Sequence, residues 1–287
     1  MKPPVFEYRD PRSLDEALGL LNEHGDDSSI LAGGQSLIPL LNLRLARPEY
    51  VIDINKVPGL DTIEVLPGCV RVGALTRIRR LERDPKIRAV APALSDAFQN
   101  IAHPQIRSRT TIGGNISHAD PSSELPGVLA AYDGRVQLTS SSGSRWVSWS
   151  DFFVTVFTTT RESNELLTAV EFPTDQNFSY EFEEIARRPG DYPLAGVCAG
   201  ISLDGSQVRA ARLSAIAIAD RPIRMTAAES ALVGVDISNT AVRQAASQAA
   251  AAEINPMDDE HGSAAFRRGL IATLVKRTLD RLAGGPS

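Results

Sequence analysis

Apolar positions near the start of the chain recur with the two periods that regular structure imposes. Leu14, Ala17, Leu18 and Leu21 share one face of a helical period, with Ser13 placed to cap it and Glu16 to complete a capping box. They predict a helix ending near His24-Gly25. A short β-prone run at residues 29–32 reads as a strand. Residues 37–45 are apolar enough for a buried helix or tight coil, and the β-branched run 50–54 reads as a buried strand. Residues 63–72, folded about Pro67-Gly68, predict a hairpin, and 76–83 and 90–98 predict helices. A helix over 124–132, capped by Ser122 or Ser123, precedes strands at 135–139, 146–149 and 166–172. Beyond a polar, turn-rich stretch at 173–177 the order changes. Strands at 178–187, 194–203 and 207–219 come first, and helices at 226–232, 240–252 and 263–282 close the chain. The layout is α+β, with expected units at 1–57, 58–176 and 177–287.

Two glycine pairs punctuate the front half. Ala32-Gly33-Gly34-Gln35-Ser36 and Thr111-Ile112-Gly113-Gly114-Asn115 each follow apolar or β-prone residues. Such turns let the backbone approach a ligand, and consecutive N–H groups there make a concave anion site. Neither turn holds a Lys or Arg, so an anion in them would depend on backbone dipoles and on the Ser36, Thr111 and Asn115 side chains. A phosphate-bearing cofactor fits that arrangement.

At 287 residues, with 43% hydrophobic and 23% charged positions, the composition is that of a soluble globular protein of two or three domains. No apolar run approaches the roughly 18–20 residues of a membrane span. The first residues lack a secretory h-region, so the expected compartment is the cytoplasm. A formal charge of −5 argues against nucleic acid as a partner. Cys69 and Cys198 stand far apart without CxxC spacing, and His24, His103, His118 and His261 are scattered. The expectation is no protein-bound metal, two reduced and buried thiols, and structural hydrogen bonds for His103 and His118. The basic stretch 77–88, interleaved with Ile78, Leu81 and Ile87, reads either as a solvated helix face or as a docking surface for an acidic iron–sulfur partner.

The strings Leu31-Ala32-Gly33-Gly34-Gln35-Ser36-Leu37-Ile38-Pro39 and Thr111-Ile112-Gly113-Gly114-Asn115-Ile116-Ser117-His118-Ala119-Asp120-Pro121 resemble the two FAD-binding motifs of the medium, flavin-carrying subunit of molybdenum hydroxylases. That family includes aerobic carbon monoxide dehydrogenase, N-heterocycle hydroxylases such as quinoline and nicotine dehydrogenases, and the flavin domain of xanthine dehydrogenase. The resemblance runs from Phe6 to the C-terminal helix. It implies two α/β subdomains that clasp FAD in the vanillyl-alcohol-oxidase-type fold, backed by a C-terminal α+β domain. A Rossmann fold is not expected, because no GxGxxG occurs.

By the same resemblance, Leu31, Ala32, Gly33, Gly34, Gln35, Ser36 and Leu37 form the first FAD loop, with Thr110, Thr111, Gly113, Gly114 and Asn115 in the second. Ile101 and Ala102 take the place where the flavin ring packs, and Leu167 that of an apolar contact. Glu124 stands at an acidic position that bonds the cofactor and is often Asp. Tyr192, in Arg187-Arg188-Pro189-Gly190-Asp191-Tyr192, is the aromatic neighbour of the ring. No residue is assigned as catalytic. The resemblance further implies a large molybdopterin subunit and a small subunit with two 2Fe-2S clusters, assembled as a dimer of heterotrimers. In it this chain passes electrons to an external acceptor. The alternatives are a free-standing flavoprotein oxidase or reductase of the same fold, and a non-catalytic assembly or cofactor-storage protein.

Overall fold

The computed structural model describes residues 2–284. Strands β1 (Glu7–Arg9), β2 (Ser28–Leu31) and β3 (Tyr50–Asp53) form a parallel sheet in the order β1-β3-β2. Helix α1 (Leu14–His24) buries Ala17, Leu18 and Leu21 against Ile52 and Ile54. Ser13 caps it as expected, accepting from Glu16 N–H at 3.1 Å, but Glu16 reaches back to the amide of Arg12 at 2.6 Å. Residues 37–45 depart from expectation. Helix α2 (Leu37–Asn42) buries only Leu41, and Ile38, Leu43 and Leu45 are exposed. Leu37 and Leu40 spend their apolar surface on a cleft described below.

The second sheet is antiparallel. Its strands are β4 (Ile63–Leu66), β5 (Cys69–Gly73), β6 (Arg135–Ser140), β7 (Gly143–Ser148) and, after a small hairpin of β8 (Phe153–Thr155) and β9 (Thr158–Thr159), the long β10 (Leu166–Pro173). The spatial order is β4-β5-β10-β6-β7. Between β5 and β6 run six helices: α3 (Ile78–Glu82), α4 (Pro85–Val90), α5 (Pro92–Asn100), α6 (Pro104–Arg107), α7 (Ile112–His118) and α8 (Glu124–Ala131). The expected helix at 90–98 breaks at Ala91, because Pro92 cannot continue α4 and instead starts α5. Within 77–88, Ile78, Leu81 and Ile87 are core, while Arg79 pairs with Glu82 and Arg80 with Asp61. The strand expected at 146–149 is longer, and Trp149 instead opens α9 (Trp149–Phe152).

In the third unit β11 (Phe178–Ala186), β12 (Pro193–Asp204), β13 (Gln207–Ile216) and β14 (Ile223–Arg224) form an antiparallel meander. Period two sorts the faces of β12 and β13. Ala195, Val197, Ala199, Leu213 and Ala215 join a core with α10 (Thr226–Leu232), α11 (Thr240–Glu253) and α12 (Ala264–Leu282), whereas Cys198 and Ile216 join the core of the second unit. Both faces are therefore covered, which explains the continuous apolar run of β12. Cys198 is buried as expected and its thiol pKa is raised by burial. Cys69, near a strand end, is only half-buried. Among the described residues no helix is long and apolar enough to cross a membrane.

Helix α8 lies between the two antiparallel sheets and is buried along its whole length. Ser214 Oγ donates to Gly127 O at 2.6 Å, and a Cβ at Gly127 would overlap Ile216 Cγ2. Gly127→Ala adds about 1 kcal/mol of helix propensity. Forcing a methyl into this contact costs about 1–3 kcal/mol and outweighs the gain. The expected outcome is a net loss of up to about 2 kcal/mol, read as a lower urea midpoint with an unchanged m-value.

Candidate functional site

A cleft of about 520 Å³ opens where the two glycine segments meet. Ala32, Gly33, Gly34, Gln35, Ser36 and Leu37 line one wall, and Thr110, Thr111, Gly113, Gly114 and Asn115 another. Ile101 and Ala102 from the α5–α6 link, Glu124 from α8, Leu167 from β10 and Tyr192 from the β11–β12 loop complete the set picked out in the sequence. Leu31 alone falls outside the lining. It ends β2 and tucks beneath the loop, its Cδ1 3.3 Å from where Gly34 would carry a Cβ.

The two glycine pairs look alike in sequence and do different work. At the first, Gly34 has φ +72°, and a Cβ on Gly33 would stand 2.5 Å from Arg109 O, so only glycine lets the segments touch. Among the described residues the amides of Gly33, Gly34, Gln35 and Ser36 meet no protein acceptor. Gln35 Nε2 braces the loop by donating to Gly33 O at 3.1 Å, and the Ser36 hydroxyl makes no capping bond. Four adjacent free donors in a concave wall form an anion site.

The second pair corrects the expectation of a like turn. Gly113 and Gly114 lie in the first turn of α7, and their amides are taken: Gly113 N–H donates to Ala74 O at 2.9 Å and Gly114 N–H to the capping Thr111 Oγ1 at 3.1 Å. Asn115 N–H donates to Thr111 O, and its Oδ1 accepts from Ser123 Oγ at 2.9 Å. A Cβ on Gly113 would lie 2.5 Å from Ala74 Cβ, so this glycine serves close packing. The two segments are also bridged by side chains the sequence does not single out. Asn55 Nδ2 donates to Ala32 O at 2.8 Å, and Arg77 donates to Asn55 Oδ1 at 2.6 Å and to Arg109 O.

The apolar wall is held under tension. Ala102 has φ +44°, a left-handed conformation unfavourable for a residue with a Cβ. Buried Arg107 secures it, Nη1 donating to Ile101 O at 3.0 Å and to Ala102 O at 2.7 Å while the guanidinium pairs with Glu82. Among the described residues neither His103 nor His118 makes the expected side-chain hydrogen bond. The His103 ring packs on Gly190, and His118 stacks on Phe157 at 4.8 Å. Burial lowers the pKa of His118, which favours its neutral form. Tyr192 is 69% exposed at the mouth.

Glu124 begins α8 and is only 6% exposed. Burial, reinforced by the nearby Glu184 and Asp120 carboxylates, pushes its pKa up to about 8; burial raises Glu184 to about 7. The shift favours the neutral carboxyl, which can donate a hydrogen bond into the cleft.

The family model for the FAD binding domain in molybdopterin dehydrogenase matches residues 4–175, and that for the CO dehydrogenase flavoprotein C-terminal domain matches 180–282. The chain belongs to the FAD-binding medium subunits of molybdenum hydroxylases. This medium subunit is 41% identical to the 6-hydroxypseudooxynicotine dehydrogenase complex subunit alpha of Paenarthrobacter nicotinovorans, over 97% of the chain and 95% of the relative. It is 36% identical to the carbon monoxide dehydrogenase medium chain of Hydrogenophaga pseudoflava, over 98% of each. It superposes on a crystal structure of quinoline 2-oxidoreductase from Pseudomonas putida 86 with TM-score 0.94 at 36% identity, covering 99% of both chains. The α+β reading and the family resemblance are thereby borne out, and the chain is a subunit of an oxidoreductase.

The Glu124 environment has a pH signature. Its carboxyl, at the ordinary 4.5 when unfolded and about 8 when folded, holds a proton in the native state that the unfolded chain has released. Its contribution is present below about 4.5 and is lost as pH rises through about 8. Glu124→Gln should therefore gain on the wild type as pH rises across that window. Chemical denaturation at a series of pH values measures it, and a difference independent of pH would contradict the burial assigned to Glu124.

Proposed function

We propose that this medium subunit carries FAD in the cleft between its glycine segments. On this reading it takes electrons from 2Fe-2S clusters of a small partner subunit, which a large molybdopterin subunit supplies, and passes them to an external acceptor. Bound FAD would supply a redox centre that accepts electrons singly and delivers them in pairs. The observation that carries the reading is the row of free amides at Gly33, Gly34, Gln35 and Ser36 in a cleft that also offers an apolar wall at Ile101, Ala102 and Leu167.

The residues fit such a group in kind. Free amides and the Ser36 hydroxyl suit a diphosphate, since charge-assisted bonds to backbone donors are worth roughly 1.5–3 kcal/mol each. Ile101, Ala102 and Leu167 offer apolar contact to a flat ring, and protonated Glu124 can donate to one of its polar atoms. Tyr192, exposed at the mouth, is placed to govern access. The second glycine segment contributes the hydroxyl of Thr111, the Asn115 side-chain amide and a close-packed wall. The partner reading assigns the oxidisable substrate to the large subunit.

Native purification tests the assignment. Flavin bands with broad iron–sulfur absorbance, and a large and a small chain in the same peak, are expected. A flavin-bearing single chain that turns over a small substrate unaided would replace the reading, and a colourless chain that takes up no FAD would end it. Two substitutions test the residues. Gly34→Ala forces a Cβ into a φ +72° position within 3.1 Å of Ile38 Cγ1 and should weaken FAD retention about tenfold, judged by flavin released on gel filtration. Tyr192→Ala should leave FAD bound and stability within about 0.5 kcal/mol, while changing the rate of dye reduction. An unchanged rate would return Tyr192 to plain surface.

A further inference from the structure

The cleft lining contains acids from two places, Asp120 and Glu124 beside α8 and Asp191 in the β11–β12 loop. Among the described residues a single side chain of Lys or Arg lines it: Arg161, on the loop between β9 and β10. That loop packs where α1 ends, with Ser163 3.0 Å from the Cβ position of Gly25. Arg161 is half-buried and fixed along one edge, Nη1 donating to Glu162 O at 2.8 Å and Glu165 O at 2.7 Å. Its Nε and Nη2 have no acceptor among the described residues. The adjacent Glu165 attracts the cation without bonding to these nitrogens, its carboxylate being engaged by Arg145 at 2.6 and 2.9 Å.

A guanidinium stays charged at any working pH, and burial disfavours the Arg161 cation more than neighbouring Glu165 relieves it, so an arriving anion is favourable. The carbonyl anchor holds the fork in one orientation and leaves donors over, the arrangement that recognises phosphate oxygens. The structure assigns Arg161 as a binding residue for the ADP half of FAD, its free Nε and Nη2 donors contacting a phosphate oxygen. This rests on the assignment of the cleft to FAD.

The test uses the full-length chain freed of flavin, as wild type, Arg161→Met and Arg161→Lys. FAD affinity is read from fluorescence quenching and ADP affinity from displacement of FAD. Arg161→Met should weaken ADP and FAD together by about tenfold or more, while Arg161→Lys, which keeps the charge, should lose less. The ADP affinity of the wild type should fall more steeply than that of Arg161→Met between roughly 50 and 500 mM NaCl. If Arg161→Met does not fold, Arg161→Gln is judged by the same measures. ADP affinity within twofold of wild type, parallel salt slopes, or a wild type that binds FAD yet has no measurable affinity for ADP would each overturn the inference and leave the FAD assignment standing. A wild type that binds no FAD would overturn both.

Discussion

The whole arrangement depends on the close approach of α8 to the third sheet. A helix buried on every side is sandwiched between two sheets, and Gly127 is the point at which it meets β13. Leu125, Val128 and Leu129 face the core of the second unit, where full burial of such side chains is worth about 1.5–3 kcal/mol each. At the C-terminal end Asp133, held at φ +51°, receives Arg212 at 2.8 Å and Arg224 at 2.6 Å from the third sheet. The N-terminal end delivers Ser123 and Glu124 to the cleft. Because contacts at Gly127 and Asp133 fix the helix against the third sheet, that sheet sets where Ser123 and Glu124 stand in the cleft wall. Core packing sets the position of a titratable group.

The cleft itself is a junction. Its first glycine loop hangs from the parallel sheet, its second glycine segment belongs to α7, and Asn55 and Arg77 tie one to the other. Gly33 brings the backbones into contact, and Arg107 holds Ala102 in a conformation it would not keep alone. These interactions are made entirely by protein atoms. They pre-form a wall of free donors opposite an apolar face, a combination suited to a guest that is anionic at one end and flat at the other.

Much of this was legible because local rules and tertiary packing agree. Ser13 announced α1, the β-branched run of β3 its strand, and the apolar runs at 194–203 and 207–219 the strands β12 and β13. The misreadings arose where the same residue types serve another end. The apolar residues 37–45 read as a buried helix or tight coil, yet Leu37 and Leu40 face the cleft. Gly113-Gly114 has the spelling of Gly33-Gly34, but periodicity cannot reveal that Ala74 lies against Gly113. Arg161 follows three threonines and belongs to no motif, so its position becomes visible only when the β9–β10 loop meets the end of α1. Long-range juxtaposition of this kind has no local signature.

The unequal duties of the two glycine pairs bear on how such chains change over generations. Gly33 and Gly113 are required by neighbouring backbone and side chains whatever the cleft contains. Gln35 and Ser36, by contrast, sit in a stretch whose amides are left over by the fold. A lineage released from carrying its guest would keep the Thr111-Ile112-Gly113-Gly114 spelling for reasons of packing while drifting at 35 and 36. The first loop is therefore the one whose decay would record the loss of the cofactor, and the second could survive as a fossil of the architecture.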